Sequence, residues 1–212
     1  CLSVFLMSGS TETVSANLHN HAHDDGEHLC EGFLPENDYW IPDTGLAMTG
    51  ISEEVFNAVL DKVDDIYRPI IEDAGGELDI QRNWSDGTVN AYAQRIGTTF
   101  RISMFGGLAR HEDTTALGFA AVACHELGHH VGGFPRKNGN TRWAATEGQS
   151  DYFATLKCMR LFIEKLTWDE LAMFEVDTFG VDPYAEKMCD AVHFWNADRE
   201  ICYMNSMAGQ SL

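Results

Sequence analysis

Two histidines four residues apart constrain this chain more than any other feature. Residues 125–129 read H-E-L-G-H, and the apolar positions around them predict a helix over about 114–131. Four residues advance an α-helix by about 400°, so His125 and His129 project from one face, one turn apart. Both imidazoles can then bind one Zn²⁺. Glu126 lies next to a ligand, where its carboxylate can act as general base on a zinc-activated water.

A catalytic zinc site also needs a third protein ligand. One known pattern places a third His six residues after the second, but that position holds Pro135, which cannot bind metal. A later helix, predicted over about 143–166, instead carries Glu147 and Asp151 four residues apart on one face. We therefore expect Glu147 to be the third zinc ligand. Asp151 is expected to accept a hydrogen bond from the other ring nitrogen of a ligand histidine.

Two neighbouring residues are interpreted from the same helical geometry. His130 points about 100° away from His129, so we expect it to be exposed or to contact a zinc ligand from outside. Gly148 has no side chain, and we expect it to let the two helices approach each other closely.

The six cysteines are compatible with an exported protein. Cys124 lies inside an apolar helix and is expected to be a free, buried thiol. Four of the others can form two disulfides, and the sequence leaves three pairings open, as well as the alternative that all remain reduced. These four are Cys30, Cys158, Cys189 and Cys202.

The order of predicted elements indicates an α+β domain. A first helix is capped by Ser52 and stopped by Gly75-Gly76, and a last one begins at Asp182-Pro183 and reaches about Trp195. Between the first helix and the H-E-L-G-H helix, β-like stretches fall at about 78–84, 88–96 and 98–105. We expect them to form a small antiparallel sheet.

The N-terminal part divides into two segments before the predicted domain at 51–212. Residues 1–16 resemble a signal peptide that ends in Val14-Ser15-Ala16, although Cys1 could alternatively carry a lipid anchor. Residues 17–50 are acidic and rich in His, so we expect a mobile segment. Alternatively, this segment covers the cleft as in a zymogen. The expected location is periplasmic or extracellular.

The net charge of −19 excludes two classes of partner. A nucleic-acid binder carries a basic patch for phosphates, and docking on anionic lipid also needs basic residues. No apolar run approaches the ~20 residues that a membrane-spanning helix needs. We therefore expect no nucleic acid and no stable membrane span.

The zinc motifs resemble those of gluzincin metallopeptidases. Around them, residues 89–93 (V-N-A-Y-A), 107–109 (G-L-A) and 120–129 (A-A-V-A-C-H-E-L-G-H) resemble the CAAX prenyl protease family, which includes periplasmic quality-control metalloproteases. The resemblance covers about 89–158, a third of the chain. It implies a zincin-like fold, in which a small sheet packs on the H-E-x-x-H helix and the following E-x-x-x-D helix, before a mostly helical C-terminal part.

The resemblance also implies roles for single residues. One zinc ion would be held by His125, His129 and Glu147, with Glu126 as the base and Asp151 behind a ligand. The strand at Asn90, Ala91 and Tyr92 would lie beside the cleft, where a peptide substrate adds as a further strand. A downstream residue would stabilise the oxyanion. His193 is the first candidate, and Arg199 and Tyr203 are the others.

The resulting hypothesis is a zinc-dependent metalloendopeptidase that acts on a peptide or protein substrate. Two alternatives stay open. One is a zinc amidase or deacylase that acts on cell-wall or small amide substrates. The other is a non-catalytic zinc-binding protein.

Overall fold

A computed structural model describes Cys30 and residues 32–43, 50–176 and 181–211. The predicted signal peptide and the His-rich residues 17–29 lie outside the described residues. Within them, the architecture is α+β, as predicted. No helix in the described ranges combines the length and the apolar character needed to cross a bilayer.

The first helix, α1 (Glu53–Asp73), begins and ends where the sequence predicts. The Ser52 side chain accepts a hydrogen bond from the backbone of Val55, and Gly75 follows the helix with φ of +79°, which glycine adopts without strain. One face of α1 is buried against the sheet and α3. Its buried side chains are Phe56, Val59, Leu60, Val63, Ile66, Tyr67 and Ile71.

The sheet is mixed rather than antiparallel. Strands β1 (Glu77–Asn83), β2 (Ala91–Ile96) and β3 (Thr99–Phe105) are arranged in the order β1-β3-β2, with β1 parallel to β3 and β2 antiparallel to β3. The tight turn at Gly97 makes β2 and β3 a hairpin. The long connection at 84–90 leaves room for β3 between the other two strands. The predicted antiparallel sheet is thus wrong for β1, and β2 lies at an edge.

Helices make up the rest of the domain. The helix predicted over 143–166 begins at Glu147 and contains a π-helical turn. The last predicted helix ends at Val192, before the predicted Trp195, and a further helix follows from Asn196 to Gln210. The elements are α2 (Gly106–Ala109), α3 (Ala116–Val131), α4 (Glu147–Phe153), the π turn (Ala154–Cys158), α5 (Met159–Glu164), α6 (Trp168–Met173), α7 (Pro183–Val192) and α8 (Asn196–Gln210).

The disulfides correct the prediction for Cys124. Cys124 on α3 is bonded to Cys158 at the end of the π turn, and Cys189 on α7 is bonded to Cys202 on α8. The sequence around Cys124 predicts only an apolar helix, so it indicates a free, buried thiol. The partner, Cys158, comes close to Cys124 only because α3 packs against the π turn. Cys30 is buried and takes part in neither bond.

The described residues before α1 pack on the domain rather than forming a separate tail. Residues 39–41 pair with 87–89, since Ile41 N donates to Gly87 O (2.8 Å) and Trp40 bridges to Thr88. Further upstream, Cys30 N donates to Ala93 O and Phe33 N donates to Ala91 O, and both donor–acceptor distances are 3.0 Å. Of the segment over 17–50 that we expect to be mobile, the described residues 30 and 32–41 lie along β2 and the chain leading into it.

Candidate metal centre

Helix α3 places both motif histidines inside the domain. Thr115 caps the helix by accepting a hydrogen bond from Gly118 N, and fifteen of its sixteen residues are buried. His125 is 4 % exposed and His129 is 1 % exposed. Their rings meet edge to face, with centroids 4.9 Å apart. The predicted geometry, two imidazoles from one face of a helix, is therefore present.

His125 contacts both acids of the second motif. Its Nδ1 lies 2.8 Å from Asp151 Oδ1, and its Nε2 lies 3.0 Å from Glu147 Oε2. A carboxylate can only accept a hydrogen bond, so a neutral ring that donates from Nδ1 to Asp151 turns a lone pair toward Glu147. Two acceptors at this distance require a positive charge between them, either a proton or a metal ion.

His129 is oriented in the same way by a backbone carbonyl. Its Nδ1 lies 2.9 Å from Ala145 O, which fixes the proton on Nδ1 and leaves Nε2 as an acceptor. Nε2 is buried and has no hydrogen-bond partner among the described residues, and Glu147 Oε2 lies 3.4 Å away. A buried imidazole nitrogen that has no hydrogen-bond partner among the described residues and faces a carboxylate is the arrangement expected of a metal ligand.

Glu126 is a fully buried acid whose carboxylate has no hydrogen-bond partner among the described residues. Burial raises the pKa of Glu126 to about 8. Ligand atoms of His125, Glu126 and His129 all lie within 4.8 Å of one another, so this group could hold a metal ion.

Glu147 begins α4 and is half-exposed. Its Oε1 lies 2.5 Å from Lys137 Nζ, in the loop between α3 and α4. Partial burial alone would raise the pKa of Glu147, but the contacts with His125, His129 and Lys137 outweigh it and hold the pKa far below its ordinary value. No sequence pattern marks Lys137, because nothing local in its loop determines where the loop folds.

The two motif helices touch at a glycine other than the predicted one. A Cβ built on Gly128 would lie 2.9 Å from Ser150 Oγ and 3.0 Å from Ser150 Cα, whereas one built on Gly148 would meet no atom within 4 Å. The fully buried Ser150 also donates a hydrogen bond to His125 O (3.0 Å). The prediction for Gly148 is wrong, because that residue faces away from α3.

His130 is buried on the other side of α3, not exposed. Its ring is stacked between Phe100 and Trp143, with centroid distances of 5.1 and 4.8 Å. His130 Nε2 lies 2.9 Å from Arg101 O, and Nδ1 accepts a hydrogen bond from Arg95 Nε (3.2 Å). Burial lowers the pKa of His130 to about 3, so the ring is neutral. This histidine joins α3 to the hairpin and does not face the metal group.

The predicted substrate strand borders the site and already has a neighbour. Asn90 Oδ1 accepts from Leu34 N (2.9 Å), and Asn90 Nδ2 donates to Leu34 O (3.1 Å). Ala91 O accepts from Phe33 N (3.0 Å). The Phe33 ring meets the His125 ring edge to face, with centroids 5.3 Å apart. Sequence reasoning missed Phe33, whose surroundings depend on the course of the N-terminal chain.

His193 lies away from these contacts. It follows the last residue of α7, and its N–H donates to Cys189 O. No hydrogen bond, ion pair or ring contact within the described ranges joins it to the metal group. Arg199 and Tyr203 both contact Asp190. The role of any of these residues at an oxyanion stays a prediction.

The donor set fits a zinc ion. Zn²⁺ takes imidazole nitrogen and carboxylate oxygen, and its ligand histidines donate their other N–H to a carboxylate or carbonyl. Asp151 and the Ala145 carbonyl are such acceptors, and His125, His129 and Glu147 would be the ligands. Comparisons with protein-family models, with curated proteins and with solved structures found no match. The interpretation of the site therefore rests on its own residues.

Proposed function

We propose that the chain is a zinc-dependent metalloendopeptidase of gluzincin type, with a zincin-like fold. The observation that carries the proposal is the convergence of His125 Nε2 and His129 Nε2 on Glu147 Oε2, at 3.0 and 3.4 Å. Each ring is oriented by an acceptor on its other nitrogen. Histidines in an ordinary surface cluster with acids would not need such acceptors to fix the orientation of their rings.

Each residue has a separate task in this proposal. His125, His129 and Glu147 hold the ion, which when bound polarises a carbonyl and lowers the pKa of water toward ~7. Glu126 takes a proton from the attacking water and delivers it to the leaving amine. Burial alone raises its pKa, but the positive charge of a bound ion would lower it, so that the carboxylate can act as a base. Asp151 keeps His125 in the tautomer that binds metal. The edge of β2 aligns an extended peptide by backbone hydrogen bonds.

The test separates metal binding from catalysis. Glu126→Gln keeps the shape of the side chain but cannot take a proton, so zinc content should be unchanged while peptide hydrolysis falls by about 10²–10⁴-fold. His129→Ala should lose the metal, measured by plasma emission spectroscopy. The matched controls are Glu164→Gln, at an exposed position on α5, and His111→Ala, a partly exposed residue in the connection between α2 and α3. Wild-type hydrolysis by Glu126→Gln would refute the proposal.

One observation favours a second candidate, a non-catalytic zinc-binding protein. A catalytic zinc keeps one open position, yet His125, Glu126 and His129 are all at most 4 % exposed. Such a protein would bind one zinc ion tightly and hydrolyse no peptide in any form.

A zinc amidase for small substrates would use the same residues as the peptidase. Incubation with proteins and with peptidoglycan fragments, followed by mass spectrometry of the products, separates a peptidase from an amidase.

We also propose that the protein is exported to the periplasm or the cell exterior. The two disulfides support an oxidising compartment, since such bonds are rare in the reducing cytosol. Fractionation of cells, followed by thiol labelling of the protein from each fraction, tests this location. Fully reduced protein confined to the cytosolic fraction would contradict it.

A further inference from the structure

The edge of β2 beside the metal group is occupied by the chain itself. We call Cys30 together with residues 32–34 the edge segment. Its residue numbers rise while those of its partners fall, from Ala93 through Ala91 to Asn90, so it lies antiparallel to β2. It is held by backbone hydrogen bonds to β2 and by the paired amide contacts of Asn90, which directly precedes β2. An extended peptide with a small residue at the position of Gly32 could form the same contacts.

Two side-chain features fit the edge segment closely to the site. A Cβ on Gly32 would lie 2.5 Å from Asn90 Nδ2 and 2.7 Å from Tyr92 Cε1, so a larger residue there would have to displace these side chains or the segment itself. The next residue, Phe33, places its ring against the ring of His125. The segment therefore contacts all three predicted substrate-binding residues as well as a predicted zinc ligand.

We propose that the edge segment is a built-in competitor for the substrate. It holds the place of an extended polypeptide that binds antiparallel to β2 with a small residue opposite Asn90 and Tyr92, and it must leave before such a polypeptide can bind. The inference rests on the proposed function. A tethered strand competes at an effective concentration of about millimolar, which holds off a dilute substrate.

The chain also provides a place where the segment can be released. Residues 35–40, which follow the edge segment, are all exposed, and residues 39–41 pair separately with 87–89. A cut within 35–38 would leave the second pairing intact and turn the edge segment into a peptide that can dissociate. Cleavage at exposed loops of this kind is common.

The test measures peptide binding, so it does not depend on hydrolysis. A protease recognition sequence is inserted between Glu36 and Asn37 of the zinc-loaded chain carrying Glu126→Gln. After the cut and gel filtration, we expect a fluorescent peptide of residues 28–36 to bind at least about tenfold more tightly than it does to the uncut protein. Equal affinity before and after release would overturn the inference. So would an N-terminal fragment that stays bound and blocks the peptide even when the peptide is in large excess.

A second variant tests the same displacement without a cut. Gly32→Ala should push the edge segment away, because Asn90 is 2 % exposed and is held by Leu34. The control is Gly209→Ala, whose Cβ would meet no atom within 4 Å. Hydrogen exchange should speed up at the amides of Cys30 and Phe33 only in Gly32→Ala, together with tighter peptide binding. Faster exchange without a gain in binding would overturn the inference.

Hydrolysis by the same forms with Glu126 intact distinguishes the two proposals. A gain in peptide binding with no hydrolysis in any form would refute the peptidase and leave the competitor. Equal hydrolysis by cut and uncut protein would refute the competitor and leave the peptidase.

Discussion

At the scale of single residues, the site depends on groups that orient other groups. Asp151 lies behind His125 rather than beside the expected metal position, and its Oδ1 is 2.8 Å from Nδ1. Acceptors of this kind fix the tautomer and raise the basicity of a ligand histidine.

We therefore expect Asp151→Asn to weaken zinc binding by about 10–100-fold. The amide presents one acceptor and one donor, so it no longer holds the Nδ1 proton reliably. Titration calorimetry of zinc into chelator-treated protein measures the change. Asp65→Asn on the exposed face of α1 is the control. Unchanged affinity in Asp151→Asn would mean that the ring is oriented by packing alone.

At the scale of elements, the distance between α3 and α4 decides whether the ligands meet. The two helices are closest at Gly128 and Ser150, and Glu147 begins α4 less than one turn from this contact. The same contact holds Ser150 against the His125 carbonyl.

Gly128→Ala should destabilise the fold by about 1–3 kcal/mol, because its Cβ would press on the Ser150 backbone, which cannot rotate away. Gly148→Ala meets no neighbour and should leave stability unchanged or raise it by up to ~1 kcal/mol. Thermal unfolding of the metal-free forms compares the two. Similar melting temperatures for both variants would contradict the close contact.

A second link between elements predicts a pH dependence. Glu170 near the start of α6 accepts hydrogen bonds from Thr167, and its Oε1 lies 2.7 Å from Lys62 Nζ on α1. Burial alone would raise the pKa of Glu170, but the contacts with Lys62 and Thr167 outweigh it and leave the pKa below the ordinary value. The unfolded chain therefore takes up this proton first as the pH falls.

The stability from Glu170 should be present above the unfolded pKa and lost as the pH falls through the lower folded value. Between about pH 5 and about pH 3, the melting temperature of the wild type should fall by ~2 °C more than that of Glu170→Gln. Calorimetric scans at several pH values measure the difference, with Glu164→Gln as the exposed control. Parallel curves for wild type and Glu170→Gln would contradict the link.

At the scale of the whole molecule, the two disulfides stabilise different parts of the fold. The Cys124–Cys158 bond joins the metal-site helix to the π turn, and Cys124 directly precedes His125. The Cys189–Cys202 bond joins only α7 and α8. Loss of either bond raises the conformational entropy of the unfolded chain and so destabilises the fold. Only the Cys124–Cys158 bond is attached to the helix that carries His125 and His129.

The double change Cys124→Ala with Cys158→Ala should lower the free energy of unfolding by about 3–4 kcal/mol, the range for a loop of this length, and should weaken zinc binding. The double change Cys189→Ala with Cys202→Ala should cost about 3 kcal/mol and leave zinc affinity as it was. Denaturant unfolding and zinc titration give the two readouts. Equal effects of both pairs on zinc affinity would contradict this division.

The sequence by itself determined what depends on local spacing. A four-residue interval puts His125 and His129 on one helical face, and the same interval relates Glu147 to Asp151. Ser52 and Gly75 bound α1 because capping and left-handed conformations are properties of single residues. These features need no information about distant parts of the chain.

Only the tertiary structure decided what depends on contacts between distant segments. Neither the parallel pairing of β1 with β3 nor the partner of Cys124 has a local signal. The same holds for Lys137 beside Glu147 and for the edge segment on β2, where residues 56 positions apart hydrogen bond through Asn90 and Leu34. Local propensity fixes which element forms, whereas the burial of shared surfaces fixes which elements meet. The residues proposed to hold and orient the metal could thus be named in advance, whereas the edge segment that contacts His125 through Phe33 could not.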